Sequence, residues 1–289
     1  MKKKSSTSVD IGYATILGQE LRYAFMGPKD ADRTLLAFNG IGASLEAVVP
    51  FANCFERTRI LTFDAPGVGE SPTPLIPYRF NWLAEIIAGL LDHLGIEDVD
   101  VTGVSWGGAA AQQFAYDFQD RIHTLTLCAT SAGMVMVPGN IDVLRKMATP
   151  KRYMDPGHMM KIAPEIYGGQ IRTNAEVLRM HASNLKAGDS RGYTYQLLAG
   201  MGWTSYLWLP QIETPTLLLM GEDDPLVPPI NGKILMSRLP NAQMITMECG
   251  HLFILSIPQD TASKMEAFIH DGIVVGAQDF SDDGVVPVT

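Results

Sequence analysis

Six short apolar runs recur along the chain: TLLAFNG (34–40), RILTFDAPG (59–67), VDVTGVS (99–105), HTLTLCAT (123–130), TPTLLLMGEDD (214–224) and AQMITMECG (242–250). Each sets aliphatic or β-branched residues ahead of Gly, Asp or Ser. That is the pattern of strands buried on both faces, as in a parallel sheet. Residues 9–26 instead alternate apolar and polar positions, which predicts a β-hairpin. Helical periodicity separates several of the runs. Leu83, Ile87, Leu90 and Leu94 share one stripe of a helix over 80–94, with Gly95 as its terminator. A second helix over 107–118 follows the third run directly, and its small Ala face can lie close to a sheet. Strand alternating with helix predicts a doubly wound α/β fold with a mostly parallel sheet.

The rhythm breaks between about 131 and 210. This stretch holds 8 of the 15 Met, among them Met134, Met136, Met147 and Met154, together with Trp203, Trp208 and five of the nine Tyr. Thr173 and Glu176 suit a capping box for a helix carrying Leu178, Ala182 and Leu185. The expected organisation is therefore an α/β core from 1–130 and 211–271, a mostly helical cap inserted at 131–210, and a loose tail at 272–289.

Composition narrows the function. The formal net charge of −9 works against nucleic-acid binding, which draws on clustered Lys and Arg. It gives no attraction to an anionic membrane either, so a neutral or apolar substrate is the easier match. Cys54, Cys128 and Cys249 are scattered and odd in number, which suits a reducing compartment. The basic start has no apolar stretch after it, so no signal peptide is expected, and no run is apolar for long enough to span a membrane. Cytoplasmic is the expected location. No HExxH or CxxC pattern or His/Asp cluster points to a metal.

The chemistry gathers at the ends of the apolar runs. Gly103-Val104-Ser105-Trp106-Gly107 is a GxSxG sequence between a strand and a helix, the setting of a strained turn that presents a serine nucleophile. The bland alternative is a Gly-rich turn whose serine only caps a helix, and the flanking strand and helix argue against it. A carboxylate in Gly221-Glu222-Asp223-Asp224-Pro225 stands at the C-terminal sheet edge, where ligands bind in open α/β sheets. By position both Asp223 and Asp224 qualify as the acid, and the neighbours suit turn capping. His251, in Cys249-Gly250-His251-Leu252, occupies a loop after the last strand. The other five histidines sit on helices, at a strand start or in the insert. Backbone N–H groups are needed for an oxyanion. Trp106 supplies one, and Ile41 in Asn39-Gly40-Ile41-Gly42 is the choice for the second. Gly40 and Gly42 do not open a dinucleotide fingerprint, because residue 45 is Leu. Cys249 reads as a small buried hydrophobe. Asn39, Gly40, Met134 and Trp203 are the candidate substrate contacts.

From about residue 10 to 270 the chain resembles the intracellular medium-chain-length polyhydroxyalkanoate depolymerases of the α/β-hydrolase superfamily. The likeness rests on FNGIGA (38–43), FDAPGVGESPTP (63–74), PYRF (77–80), GVSWGGAAAQQFA (103–115), GEDDPLVP (221–228) and GHLF (250–253). In the insert it rests on MVMVPG (134–139), IAPEIYGG (162–169) and GWTS (202–205). The resemblance implies an α/β-hydrolase fold and Asp224 as the acid, three residues after the glycine and four before Pro228. It also implies an ester of a medium-chain polyester as substrate and a granule surface as partner, with no cofactor. Asn39 departs from the His found there in many members. A cytoplasmic carboxylesterase or C–C hydrolase using the same three residues is the alternative reading. A non-catalytic ligand- or granule-binding protein is the second. A dehalogenase would need Asp, not Ser, at 105.

Overall fold

The computed structural model describes residues 9–149, 151, 155–183, 189–272, 274–281 and 284–287; the basic start, Met154 and Leu185 lie outside them. Every apolar run becomes a strand. The hairpin β1 (Asp10–Ile16) and β2 (Gln19–Met26) is followed by β3 (Arg33–Phe38), β4 (Thr58–Phe63), β5 (Val99–Val104), β6 (Ile122–Cys128), β7 (Thr216–Gly221) and β8 (Ala242–Met247). The strands lie in the order β1-β2-β4-β3-β5-β6-β7-β8. β3 to β8 pair in parallel, while β2 runs antiparallel to β4. All six residues of β7 are buried, as its unbroken apolar run requires of a central parallel strand.

Residues 272–289 are a correction to the sequence reading. Rather than forming a loose tail, they add β9 (Gln278–Ser281) and β10 (Gly284–Pro287), with β9 antiparallel to β8. A strand edge left open by β8 attracts any extended segment with free backbone donors and acceptors. Val274 and Ala277 are buried beside it. Sequence reading missed this because the segment is short and rich in Gly and Asp.

Helix α1 (Phe80–Leu94) ends where predicted, and α2 (Trp106–Asp117) follows β5. Leu83, Ile87 and Leu90 of α1 are buried, and so are Ile86 and Leu91. The apolar face is thus wider than one stripe, because α1 packs both on the sheet and on α2 beside it. These helices cover one face of the sheet with α8 (Ile230–Met236). The other face is covered by α9 (Pro258–Asp271) and the short helix Val49–Ala52. Cys249 packs within this second layer. Cys128 is fully buried, and burial pushes its thiol up to about 12.

Between β6 and β7 run α3 (Ile141–Met147), α4 (Pro156–Tyr167), α5 (Gly169–Thr173), α6 (Ala175–Ser183) and α7 (Ser190–Gly200). The first four share an apolar cluster of their own, built on Val143, Met159, Ile162, Ile166, Ile171 and Val177, which Leu226 joins from the loop after β7. The predicted capping box does not form. Thr173 is still helical as the last residue of α5, so the extended Asn174 takes the cap, its Oδ1 accepting from the N–H groups of Glu176 and Val177.

One buried network orders the loops at the sheet edge. Asp64, after β4, accepts from Leu45 N–H at 2.7 Å, Glu70 N–H at 2.9 Å and Arg22 Nη1 at 3.1 Å. Burial holds its carboxyl above the usual range, against the pull of those donors. The loops after β3 and β4 are thereby tied to one carboxylate.

Candidate active site

Ser105 stands between β5 and α2 with φ 56° and ψ −116°. A side chain at positive φ is strained by about 1–3 kcal/mol and persists only where surrounding bonds hold it. Those bonds are present. Ser105 N–H donates to the Cys128 oxygen at 2.9 Å, and its own carbonyl oxygen accepts from Gly108 N–H at 2.9 Å and Thr130 Oγ1 at 2.8 Å. Gly107 is required by close approach, since a Cβ there would collide with the carbonyl oxygens of Phe38 and Asn39. The start of α2 thus lies against the loop after β3 that contains Ile41. As the first residue of α2, Trp106 carries one of the N–H groups that have no partner inside the helix.

Asp224 and His251 are brought together at the same edge, after β7 and β8. His251 Nδ1 lies 2.7 Å from Asp224 Oδ2, and both side chains are buried. The other oxygen, Oδ1, accepts from Leu226 N–H at 2.8 Å and Val227 N–H at 2.9 Å. The carboxylate can therefore neither rotate nor withdraw. Asp223 faces elsewhere. Its Oδ2 accepts from Gly169 N–H and Arg172 Nη1, both at 2.9 Å. Asp223 was expected to cap its own turn; it instead caps the start of α5 across space.

The insert reaches His251 too, which sequence reasoning missed. The Tyr167 ring stacks on the imidazole with centroids 6.1 Å apart, and the main-chain N–H of His251 donates to the Tyr167 carbonyl oxygen at 2.8 Å. The signal available was Gly168-Gly169 in IAPEIYGG, since paired glycines mark backbone meeting backbone. At Gly169, with φ +50°, a Cβ would strike the Gly250 main chain. Gly169→Ala is expected to destabilise the fold by about 1–3 kcal/mol, a few degrees per kcal/mol in Tm. It should lower turnover as well by displacing the His251 loop. Thermal unfolding beside steady-state kinetics checks this, and no change in either would refute the tight contact.

Ser105 opens into a cavity of about 310 Å³ between sheet edge and insert. Its walls include Phe80, Trp106, Met136, Met147, Trp203 and Leu226. Phe80 lies 5.0 Å from Trp106 and 5.2 Å from Trp203, ring to ring. The Trp203 indole N–H is spent on Gln113 Oε1 at 2.9 Å, so its carbon face is what a ligand meets. No Lys, Arg, Asp or Glu is among the described residues lining the cavity.

Of the predicted substrate contacts, Trp203 lines this cavity. Met134 is a correction: it is 69% exposed, its main-chain N–H donating to the Trp203 carbonyl oxygen within the insert, while Met136 takes the place at the wall. The chain turns after the bridge from Gly133 to Thr204, and that turn brings Met136 to the wall. Asn39 Nδ2 is within 3.4 Å of Thr62 Oγ1 and 3.5 Å of the Ser44 oxygen, facing the β3–β4 seam. Gly40 begins the turn that contains Ile41. Among the described residues, no group of three or more His, Cys, Asp or Glu is placed to hold a metal, and no helix is long and apolar enough to cross a membrane.

Comparison with known proteins adds four findings. The model of the α/β hydrolase fold family matches residues 33–158. A poly(3-hydroxyalkanoate) depolymerase of Ectopseudomonas oleovorans is 48% identical over 252 residues, covering 87% of this chain and 89% of that protein. A 3-oxoadipate enol-lactonase of Acinetobacter baylyi is 26% identical over 86% of this chain and 92% of its own. Among solved structures, the enol-lactonase from Burkholderia xenovorans LB400 superposes with TM-score 0.77 at 24% identity, over 89% of this chain and 99% of that one.

Proposed function

Because the chain belongs to the poly(3-hydroxyalkanoate) depolymerase family of α/β hydrolases, we propose that it cleaves ester bonds of an intracellular medium-chain polyhydroxyalkanoate, with Ser105 as nucleophile. The observation that carries the reading is the strained Ser105 at a cavity whose described lining holds no charged side chain, with the buried His251–Asp224 pair on the same sheet edge.

The roles follow from the bonds. Asp224 as a carboxylate has no proton to give, so its bond to Nδ1 keeps the ring proton there and leaves the Nε2 lone pair for Ser105. His251 takes the Oγ proton as Oγ attacks the ester carbonyl. The Trp106 and Ile41 N–H groups receive the tetrahedral oxyanion, a donor pair of which each member contributes about 10²–10³ in rate. Collapse breaks the C–O ester bond. The His251 proton passes to the departing 3-hydroxyacyl alcohol, and Ser105 holds the acyl group. Water, deprotonated by His251, then releases the acid and restores the serine. No cofactor enters the balance.

Two features bear on the substrate. The described lining residues include no cation to pair with the carboxylate of an acidic substrate, which favours a neutral ester over the C–C hydrolase alternative. Outside the cavity, Leu75 is 98% and Ile76 74% exposed, on a loop bonded to the insert through Tyr195 Oη and Arg79. Met201 and Met134 are exposed as well, and apolar side chains left in water suit an uncharged granule surface in the cytoplasm.

The test compares emulsified medium-chain polymer with soluble esters of rising chain length, for wild type and for Leu75→Asp with Ile76→Asp. Expected is hydrolysis of both substrates by the wild type. The double variant should lose about tenfold on the emulsion, where burial of two apolar side chains is forfeited, and keep its rate on soluble esters. Activity confined to short soluble esters would sink the polyester reading.

A further inference from the structure

Gln196 is 1% exposed on α7 of the insert, and its two oxygens serve both halves of the proposed oxyanion site. Its side-chain Oε1 accepts from Gly42 N–H at 2.7 Å. Its main-chain oxygen accepts from the Trp106 indole Nε1, also at 2.7 Å. One residue of the insert thus holds the loop after β3 and the residue after Ser105 together.

Gly42 is the third residue of a four-residue turn, closed by Ala43 N–H donating to the Gly40 oxygen at 3.0 Å. Its φ is +73°. The central peptide of such a turn has two orientations, and a positive φ at the third position marks one of them. The N–H that Gln196 accepts belongs to that central peptide. Reversing the peptide would turn the Ile41 carbonyl toward Oε1, oxygen against oxygen, so the glutamine admits one orientation only. Ile41 is the second residue of this turn, and its side chain packs on Tyr193, one turn earlier on the same helix.

We propose that Gln196 is a positioning residue for the oxyanion site, through which the insert sets the geometry of the Ile41 and Trp106 donors. The inference rests on the assignment of Ser105 as nucleophile. Neutral substrate in its ground state places little charge on these donors, whereas the tetrahedral oxyanion places a full one. Losing the side-chain acceptor should therefore be felt in the transition state and not in substrate binding.

The test is Gln196→Met, which keeps the length of the side chain and removes the acceptor. Gln196→Leu serves if the first variant does not unfold within a few degrees of wild type. A soluble ester series gives kcat and KM, and an alkyl boronic acid, which forms an anionic tetrahedral adduct with a serine hydroxyl, gives an inhibition constant. Expected is a fall in kcat of about 10- to 100-fold, below the effect of deleting a donor outright. KM should be nearly unchanged at every chain length, and boronate affinity should fall by the same factor as kcat. Wild-type kcat and boronate affinity in a folded variant overturn the proposal. So does a loss carried by KM and growing with chain length, which would make Gln196 a wall of the cavity only. An unaltered rate in Ser105→Ala would overturn the nucleophile assignment instead, and the two failures cannot be confused.

Discussion

Ser105→Ala is expected to lower kcat/KM on ester substrates by about 10⁶, leaving only what the oxyanion donors and the cavity contribute without a nucleophile. Alanine keeps the Cβ, so the left-handed backbone of the turn stays as strained as before, and the main-chain bonds to Cys128, Gly108 and Thr130 remain. The fold should therefore unfold at nearly the wild-type Tm. Steady-state hydrolysis of a chromogenic ester measures the loss, and intact-protein mass after exposure to an alkyl phosphonate tests the site of attack. Wild type should gain one phosphonyl group, and Ser105→Ala none. Residual activity within tenfold of wild type would remove Ser105 from the mechanism and the acyl-enzyme with it.

Asp224→Asn should lower kcat by about 10⁴, for a reason visible in the hydrogen bonds. The Oδ1 position receives two N–H groups, from Leu226 and Val227, so the amide oxygen of asparagine must sit there. Its NH₂ is then directed at His251 Nδ1, where it can only donate. The imidazole must in turn carry its proton on Nε2, and it cannot act as the base that the proposed mechanism needs. Stability should change little, because the two main-chain bonds survive. Asp223→Asn is the discriminating control. Asp223 is half exposed and paired with Arg172, and such pairs contribute about 0–1 kcal/mol. Its variant should stay within about tenfold of wild-type kcat. Equal losses from both substitutions would undo the choice of Asp224.

Those two carboxylates show where sequence reading stops. Asp223 and Asp224 share strand, loop and charge, and spacing alone left both open; the likeness to known depolymerases decided between them. Geometry gives the physical ground. One side chain turns inward to a histidine 27 positions away, and the other turns outward to α5. The serine was easier. A strand, a glycine pair and an Ala-rich helix are local signals, and the backbone at 103–107 adopts the turn they encode.

Contacts across the insert were the least legible. Met134 and Met136 lie in one apolar stretch with nothing local to tell them apart; the turn that follows the bridge from Gly133 to Thr204 places Met136 at the cavity wall. Gln196 carries no local sign of importance at all. Its role arises from a hydrogen bond spanning 154 positions. The strand at 278–281 escaped notice because edge pairing depends on an open neighbour, β8, rather than on its own apolar content.

The sequence by itself determined the alternation of buried strand and helix, the order of serine, acid and histidine, and the place where the rhythm breaks. These are properties of periodicity and of local backbone preference, which act over a few residues. The tertiary structure decided which methionine lines the cavity, showed the physical ground on which Asp224 meets His251, and joined Tyr167 and Gln196 of the insert to the His251 loop and to the turn at 40–43. Such contacts join residues far apart in the chain, and their energy depends on relative position to a fraction of an ångström, which no local pattern records.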